Sequence, residues 1–509
     1  MKLQSVLLVL VIFSYSVVGH SQNTRLNTFV NDSLDAYIEQ GMTQWEIPGL
    51  SIGIIKNGKL IYSKGYGHKL INTQSPVDSN TLFMIGSLTK AITCATTVIM
   101  ADKQTLSLND PISKWLPELD AKGKGHFDHT IIEDILTGRT GLGSHIGDFL
   151  FWKTTLDDTD LLRVLPSLKP EVEVRRKFLY NNISYLLLNK ILSNTTGKNW
   201  SETVETAFFN PLKMKDSYTG ISRIPTQKKQ QLASSHTKHA NKIIAISEEH
   251  IDNMGPAGSI VSSATDMSKW MLEFMNSDGV LPSSVKKIIQ RPYQLRGYRK
   301  TKDHQDQLRF LFSGMGWNIF DEFDKLTYLH DGGTDGSKSL LMVIPEEQYG
   351  VVVLTNARSH NFTSALVDEL HYALMNQSFQ NFSNQYLEDF QNEEKEEVAE
   401  MKKINVSIHQ NPLKKQELQK YIGTYSNPLY GTMTLHVLNN KLELTFSRHQ
   451  NNLKGTLDHL GDHRFWLTPS SPEFSPTKVE FSLKENTIVG FNYIAEVSGD
   501  RNYWFKRIN

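Results

Sequence analysis

Cysteine is almost absent from this chain: Cys94 is the only one in 509 residues. One cysteine excludes an intramolecular disulfide, and a chain long enough for two or three domains buries enough apolar surface without one. Cys94 lies in an apolar helical stretch with no histidine near it in sequence, so it reads as a small core residue. Net charge is also absent, with 54 basic residues against 54 acidic ones. No long basic block appears, which argues against nucleic acid as a partner. Long apolar runs are missing apart from Val6 to Val18, which is too short to span a bilayer comfortably. With Lys2 before it and Gly19 and Ser21 after it, residues 1–21 read as a secretory signal peptide. The expected product is exported, periplasmic or secreted, with no stable membrane span after cleavage. No cysteine follows the apolar core, so no lipoprotein anchor is expected. Apolar residues at 39% and charged residues at 21% are ordinary for soluble protein.

What is present divides the chain into segments. Leu26, Phe29, Val30, Leu34, Tyr37 and Ile38 recur at helical spacing. Leu50 to Ile55 and Leu60 to Tyr66 read as two strands joined at Asn57-Gly58, a hairpin signal. Mixed helices and strands continue to about residue 376, including a buried strand over Gly350 to Asn356. Residues 377–413 carry Glu393-Glu394-Lys395-Glu396-Glu397 and read as a charged, partly helical linker. Residues 414–509 hold seven short strands between turns, which predicts a small all-β barrel or sandwich. Its histidines, His436, His449, His459 and His463, lack the spacing of a metal site, and neither a metal nor another cofactor is expected.

Ser87-Leu88-Thr89-Lys90 carries the most chemical information. It opens an apolar helix, which places the serine near the positive end of the helix dipole. The lysine three residues on shares its face. Desolvation would disfavour the ammonium and let the amine accept the serine proton. Ser-x-x-Lys also occurs at Ser235, Ser283, Ser284 and Ser475, but in polar or loop-like sequence. Gly49-Leu50-Ser51-Ile52-Gly53 matches a nucleophile elbow, yet the apolar run continues into the hairpin, so Ser51 is expected within a strand.

Two further motifs accompany it. Tyr180-Asn181-Asn182 precedes an apolar helix. A nearby ammonium would stabilise the Tyr180 phenolate for proton relay, and Asn182 offers a donor and an acceptor for a substrate amide. In His330-Asp331-Gly332-Gly333 the glycines allow close backbone approach. The Gly333 N–H, paired with that of Ser87, would form an oxyanion hole.

The order Ser87-x-x-Lys90, Tyr180-x-Asn182, His330-x-Gly332 resembles the serine β-lactamase and penicillin-binding-protein superfamily, in its class C and D-aminopeptidase-like branch. Ile47 to Gly53, Asn210 to Ser217 and Gly255 to Ile260 resemble that branch as well. The resemblance spans about residues 27 to 375. It implies an α+β fold, an antiparallel sheet covered by helices beside a helical lobe, with the site between them. It further implies that Ser87 is acylated, that Lys90 and Tyr180 share general-base duty, that Asn182 contacts the substrate, and that His330 stands where lysine is usual. Residues 414–509, with Tyr421 to Tyr425 and Tyr430-Gly431, resemble a lipocalin-like domain. Two roles are open to it: rimming the pocket, or self-association.

Two departures from the pattern bear on substrate. Lysine in the third motif is a permanent cation, whereas histidine is mostly neutral near pH 7 unless its pKa is raised. Asp331 replaces a common threonine; it either repels anionic substrates or is turned away by strand alternation. Gly138 stands where the family usually carries histidine. The expectation is a serine hydrolase acting through an acyl-enzyme on amides or esters, such as short peptides, D-amino-acid derivatives or small esters, and weak on β-lactams. The alternative is a non-catalytic protein that binds peptides or cell-wall fragments, which would have no need for Ser87, Lys90 and Tyr180 together.

Overall fold

A computed structural model describes residues 24–509 except 121–125, 248–250, 302–303, 450–452, 473 and 496–500. The predicted signal peptide lies outside the described residues. Among them, no helix is long and apolar enough to cross a membrane.

The Asn57-Gly58 turn forms as expected, with both residues at positive φ (52° and 69°), and joins the strands Gly49–Lys56 and Lys59–Gly67. Left-handed dihedrals at both positions match the twist of a two-residue hairpin. This hairpin is one edge of an eight-stranded sheet. From Lys59–Gly67 the order runs through Gly49–Lys56, Tyr349–Thr355, Lys338–Ile344, Lys325–Gly333, Asn318–Glu322 and His304–Ser313 to Gln294–Thr301. Every pairing is antiparallel. The central strands are buried on both faces, which explains their continuous apolar runs. Leu340, Met342, Val351 and Val353 join the core beneath the helices Leu34–Gln44 and Phe362–Leu374. Leu341, Val343, Val352 and Leu354 turn the other way, into the core that holds the helix Leu88–Asp102. The site forms on that second side.

The segment read as a linker is one 29-residue helix, Phe382–Gln410. Phe382, Tyr386, Leu387 and Phe390 pack on the first core. Tyr37 Oη accepts from Ser383 N at 3.0 Å, and Trp45 Nε1 donates to Ser383 Oγ at 3.0 Å. At the far end Ile404 is buried and Ser407 Oγ donates to Leu460 O at 3.0 Å. Apolar residues at i, i+4, i+5 and i+8 fix one end; in the charge run Glu394 pairs with Lys238 at 2.9 Å.

The C-terminal unit is a closed barrel of eight strands, one more than the sequence reading found. The extra strand is Lys454–Gly461. The barrel closes through Tyr425↔Arg507 and Ser426↔Lys506. Buried Tyr421, Tyr425, Phe465, Phe481, Phe491 and Phe505 contact one another ring to ring. They make its interior a packed core.

Candidate active site

Ser87 immediately precedes the helix Leu88–Asp102, and Lys90 follows on its first turn. Backbone bonds Thr89 N to Gly86 O (3.0 Å) and Lys90 N to Ser87 O (2.9 Å) fix that turn. Lys90 is 2% exposed. Its Nζ donates to Ala257 O at 2.6 Å and lies 3.1 Å from Ser87 Oγ. The rings of Tyr180 and Tyr185 stand 4.8 and 5.4 Å from it. Burial holds its pKa down at about 7, because the ammonium has lost its hydration. The amine is therefore available as a base near neutral pH.

Tyr180 donates its hydroxyl to Ser87 Oγ at 2.6 Å. Burial pushes its pKa well up. Desolvation thus works against the phenolate that a proton relay would use, and the hydroxyl here donates to Ser87.

The Lys325–Gly333 strand approaches the Ser87 turn backbone to backbone. Gly86 has φ 52°, and a Cβ there would lie 2.6 Å from Gly333 N. A Cβ at Gly332 would lie 2.1 Å from Ile85 O and 3.0 Å from Ser87 N. Ser339 Oγ donates to Ile85 O at 2.7 Å, and Ser337 Oγ to Met84 O at 2.9 Å. These contacts bring the backbone of Ser87 next to that of Gly332-Gly333, as an oxyanion hole requires.

His330 is buried, and its Nδ1 lies 2.6 Å from Asp331 O. A carbonyl only accepts, so Nδ1 carries the proton. Burial lowers the His330 pKa, so the ring is neutral near pH 7. Asp331 is exposed, yet both residues line the cavity; alternation does not remove the carboxylate from the site. Asn182 Nδ2 donates to Asp148 Oδ2 at 2.7 Å.

All seven residues singled out from sequence, Ser87, Lys90, Tyr180, Asn182, His330, Gly332 and Gly333, line one cavity of about 880 Å³. The competing serines do not form such a site. Ser51 is buried in its strand and donates to Asp78 O at 3.2 Å. Lys238, three residues after Ser235, pairs with Glu394 at 2.9 Å. Lys286 donates to Asn276 O. Lys478, after Ser475, is on the exposed side of its strand. Cys94 is buried with its thiol pKa pushed up to about 12 by desolvation, an inert thiol.

Other lining residues carried no sequence signal: His145, Asp148, Arg296, Lys338, Arg358 and, from the barrel, Phe474 and Tyr493. Gly138 now has a reason. Its φ is 66°, and a Cβ there would meet Phe178 Cε2 at 2.6 Å. The Phe178 ring fills that space and carries the Arg296 guanidinium 4.1 Å from its centroid. Among the described residues no group of three His, Cys, Asp or Glu is placed to hold a metal ion.

The family model described as Beta-lactamase matches residues 34–373, around every one of these motifs. The chain belongs to the Beta-lactamase family. This makes it a β-lactamase-family serine hydrolase by descent. A second model, a domain of unknown function (DUF3471), matches residues 409–507, the barrel. Protein flp of Staphylococcus aureus (strain N315) is 25% identical over 354 residues, covering 69% of this chain and 68% of its own. Unguisins hydrolase ungD of Aspergillus violaceofuscus is 25% identical over 360 residues, covering 65% and 62%. An octameric penicillin-binding protein homologue from Pyrococcus abyssi shares the fold, with a TM-score of 0.59 at 20% identity over 93% of this chain and 99% of its own.

Proposed function

We propose that this family member is an exported hydrolase that cleaves small amides or esters through an acyl-enzyme on Ser87, and that β-lactams are poor substrates. The observation that carries the reading is the pair of contacts on Ser87 Oγ, with Lys90 Nζ at 3.1 Å and Tyr180 Oη at 2.6 Å. Neutral Lys90 takes the Ser87 proton as Oγ attacks the acyl carbon. The oxyanion is received by the N–H groups of Ser87 and Gly333. Lys90 then returns the proton to the leaving amine or alcohol, while Tyr180 donates a hydrogen bond. A receptor without chemistry would gain nothing from an amine whose pKa is held at about 7.

The poor β-lactam activity follows from His330. A neutral ring beside Asp331 offers no fixed cation at the third-motif position, and Arg296, Lys338 and Arg358 line the cavity from other elements. Small substrates are favoured because the barrel, through Phe474 and Tyr493, adds side chains to the lining of the cavity. Export rests on the N-terminal sequence alone. The test is labelling with a fluorophosphonate, mapping of the adduct, and comparison of nitrocefin with a p-nitrophenyl ester and a D-amino-acid anilide. An adduct on Ser87 with faster ester or anilide cleavage is expected. An adduct on another serine overturns the mechanism, and efficient nitrocefin turnover overturns the substrate assignment.

A further inference from the structure

One acid–base pair in the cavity has no part in the acylation chemistry above. His145 Nδ1 lies 2.8 Å from Asp148 Oδ2. A carboxylate accepts, so Nδ1 carries the proton in the neutral ring and leaves Nε2 with a free lone pair. Asp148 is buried, and its other oxygen, Oδ1, has no protein donor. The same Oδ2 accepts from Asn182 Nδ2 at 2.7 Å. The His145 ring is 5.2 Å, centroid to centroid, from the ring of Tyr180. Its side chain is 35% exposed and lines the cavity.

The backbone holds this imidazole in an uncommon conformation. His145 has φ 57°, a left-handed conformation that is uncommon for non-glycine residues. His145 N donates to Tyr180 O at 2.8 Å, and Asn181 Nδ2 donates to Gly143 O at 2.9 Å. The loop carrying His145 is thus tied to the segment that carries Tyr180.

In the free enzyme Ser87 Oγ has Lys90 and Tyr180 as its partners, and His145 makes no bond to it. An oriented imidazole that does not touch the serine is suited to a different oxygen. We propose that His145, oriented by Asp148, is a further catalytic residue that activates the water attacking the acyl-enzyme. This proposal rests on the acyl-enzyme reading above. The water oxygen adds to the carbonyl carbon of the Ser87 ester, and one water proton moves to His145 Nε2. The tetrahedral oxyanion faces the N–H groups of Ser87 and Gly333. On collapse the carbon–Oγ bond breaks. Oγ takes the proton held on His145, relayed by a water molecule, Tyr180 keeps its hydroxyl proton and its hydrogen bond to Oγ, and the carboxylic acid leaves. One water is consumed, and every group ends in its starting protonation state. Asp148 acts through His145 and Asn182 and is a positioning residue.

The test uses the full chain and two probes. Fluorophosphonate labelling reads activation of Ser87 without deacylation. Rapid-quench intact mass spectrometry with p-nitrophenyl acetate reads the lifetime of the acetyl adduct. For His145→Gln, labelling should stay within about threefold of the parent, while turnover falls about a hundredfold or more and the adduct accumulates. For His145→Ala, added imidazole should shorten the adduct lifetime again; this variant carries the test if glutamine does not fold. Unchanged turnover, labelling that falls in step with turnover, or no imidazole rescue overturns the role of His145. Failure of the parent protein to form any Ser87 adduct instead overturns the acyl-enzyme reading.

Discussion

Tyr180 Oη donates to Ser87 Oγ at 2.6 Å, and Lys90 Nζ lies 3.1 Å from the same oxygen; in the proposed acylation the serine proton goes to Lys90. The pH dependence of acylation follows. The base works only when deprotonated, and burial holds the Lys90 pKa at about 7. The rate of fluorophosphonate labelling should rise with pH through about 7 and level off above it, measured from pH 5 to 9. Lys90→Ala should lower the plateau by about two to four orders of magnitude, the usual contribution of an acid–base group.

The glycines where the Ser87 turn meets the third motif should differ in tolerance. A methyl group at Gly332 would meet Ile85 O at 2.1 Å, and one at Gly86 would meet Gly333 N at 2.6 Å in a left-handed conformation. At Gly333 the nearest atom to an added Cβ is Ser337 O at 3.7 Å, an ordinary contact. Gly332→Ala and Gly86→Ala should therefore lose at least about a hundredfold in kcat/KM, the scale of a lost oxyanion donor. Gly333→Ala should fold and keep its activity. Circular dichroism and ester turnover on the three variants check the ordering.

His330→Lys should shift selectivity. The parent ring is neutral because burial lowers its pKa. A lysine here supplies a cation, opposed by the same desolvation and aided by Asp331. The ratio of nitrocefin to p-nitrophenyl ester turnover should rise by about tenfold, the scale of one charge-assisted hydrogen bond. A ratio that stays level or falls contradicts the assignment of His330 as the cause of weak β-lactam cleavage.

The barrel should limit substrate size. Phe474 and Tyr493 line the cavity, and truncating either side chain to alanine enlarges it on that side. Bulkier acyl esters should gain in kcat/KM by about tenfold relative to the acetyl ester, within the range of one or two methylenes in a pocket. A chain cut at Met375 should be insoluble, because it exposes the surface that Phe382, Tyr386, Leu387 and Phe390 cover. Expression and size-exclusion chromatography of the cut chain provide the check.

The nucleophile, the base and the approaching strand were legible in sequence because each sits in a short contiguous motif beside a strong apolar run. His145, Asp148, Arg296, Lys338 and the barrel side chains were not, because they reach the cavity from separate elements brought together only by folding. The helix Phe382–Gln410 was obscured by its own charge run, although its apolar residues between Phe382 and Phe390 have helical spacing. The strand Lys454–Gly461 begins and ends near glycines and alternates weakly, with only Gly455, Leu457 and Gly461 fully turned inward. The burial of Tyr180 was not legible either, because sequence shows the neighbouring lysine but not the desolvation around the phenol.

The helix Phe382–Gln410 reaches about 43 Å at 1.5 Å per residue, and it is bonded at both ends. It acts as a beam rather than a tether. Two anchored ends thus fix where the barrel stands, and with it where Phe474 and Tyr493 meet the Ser87 cavity.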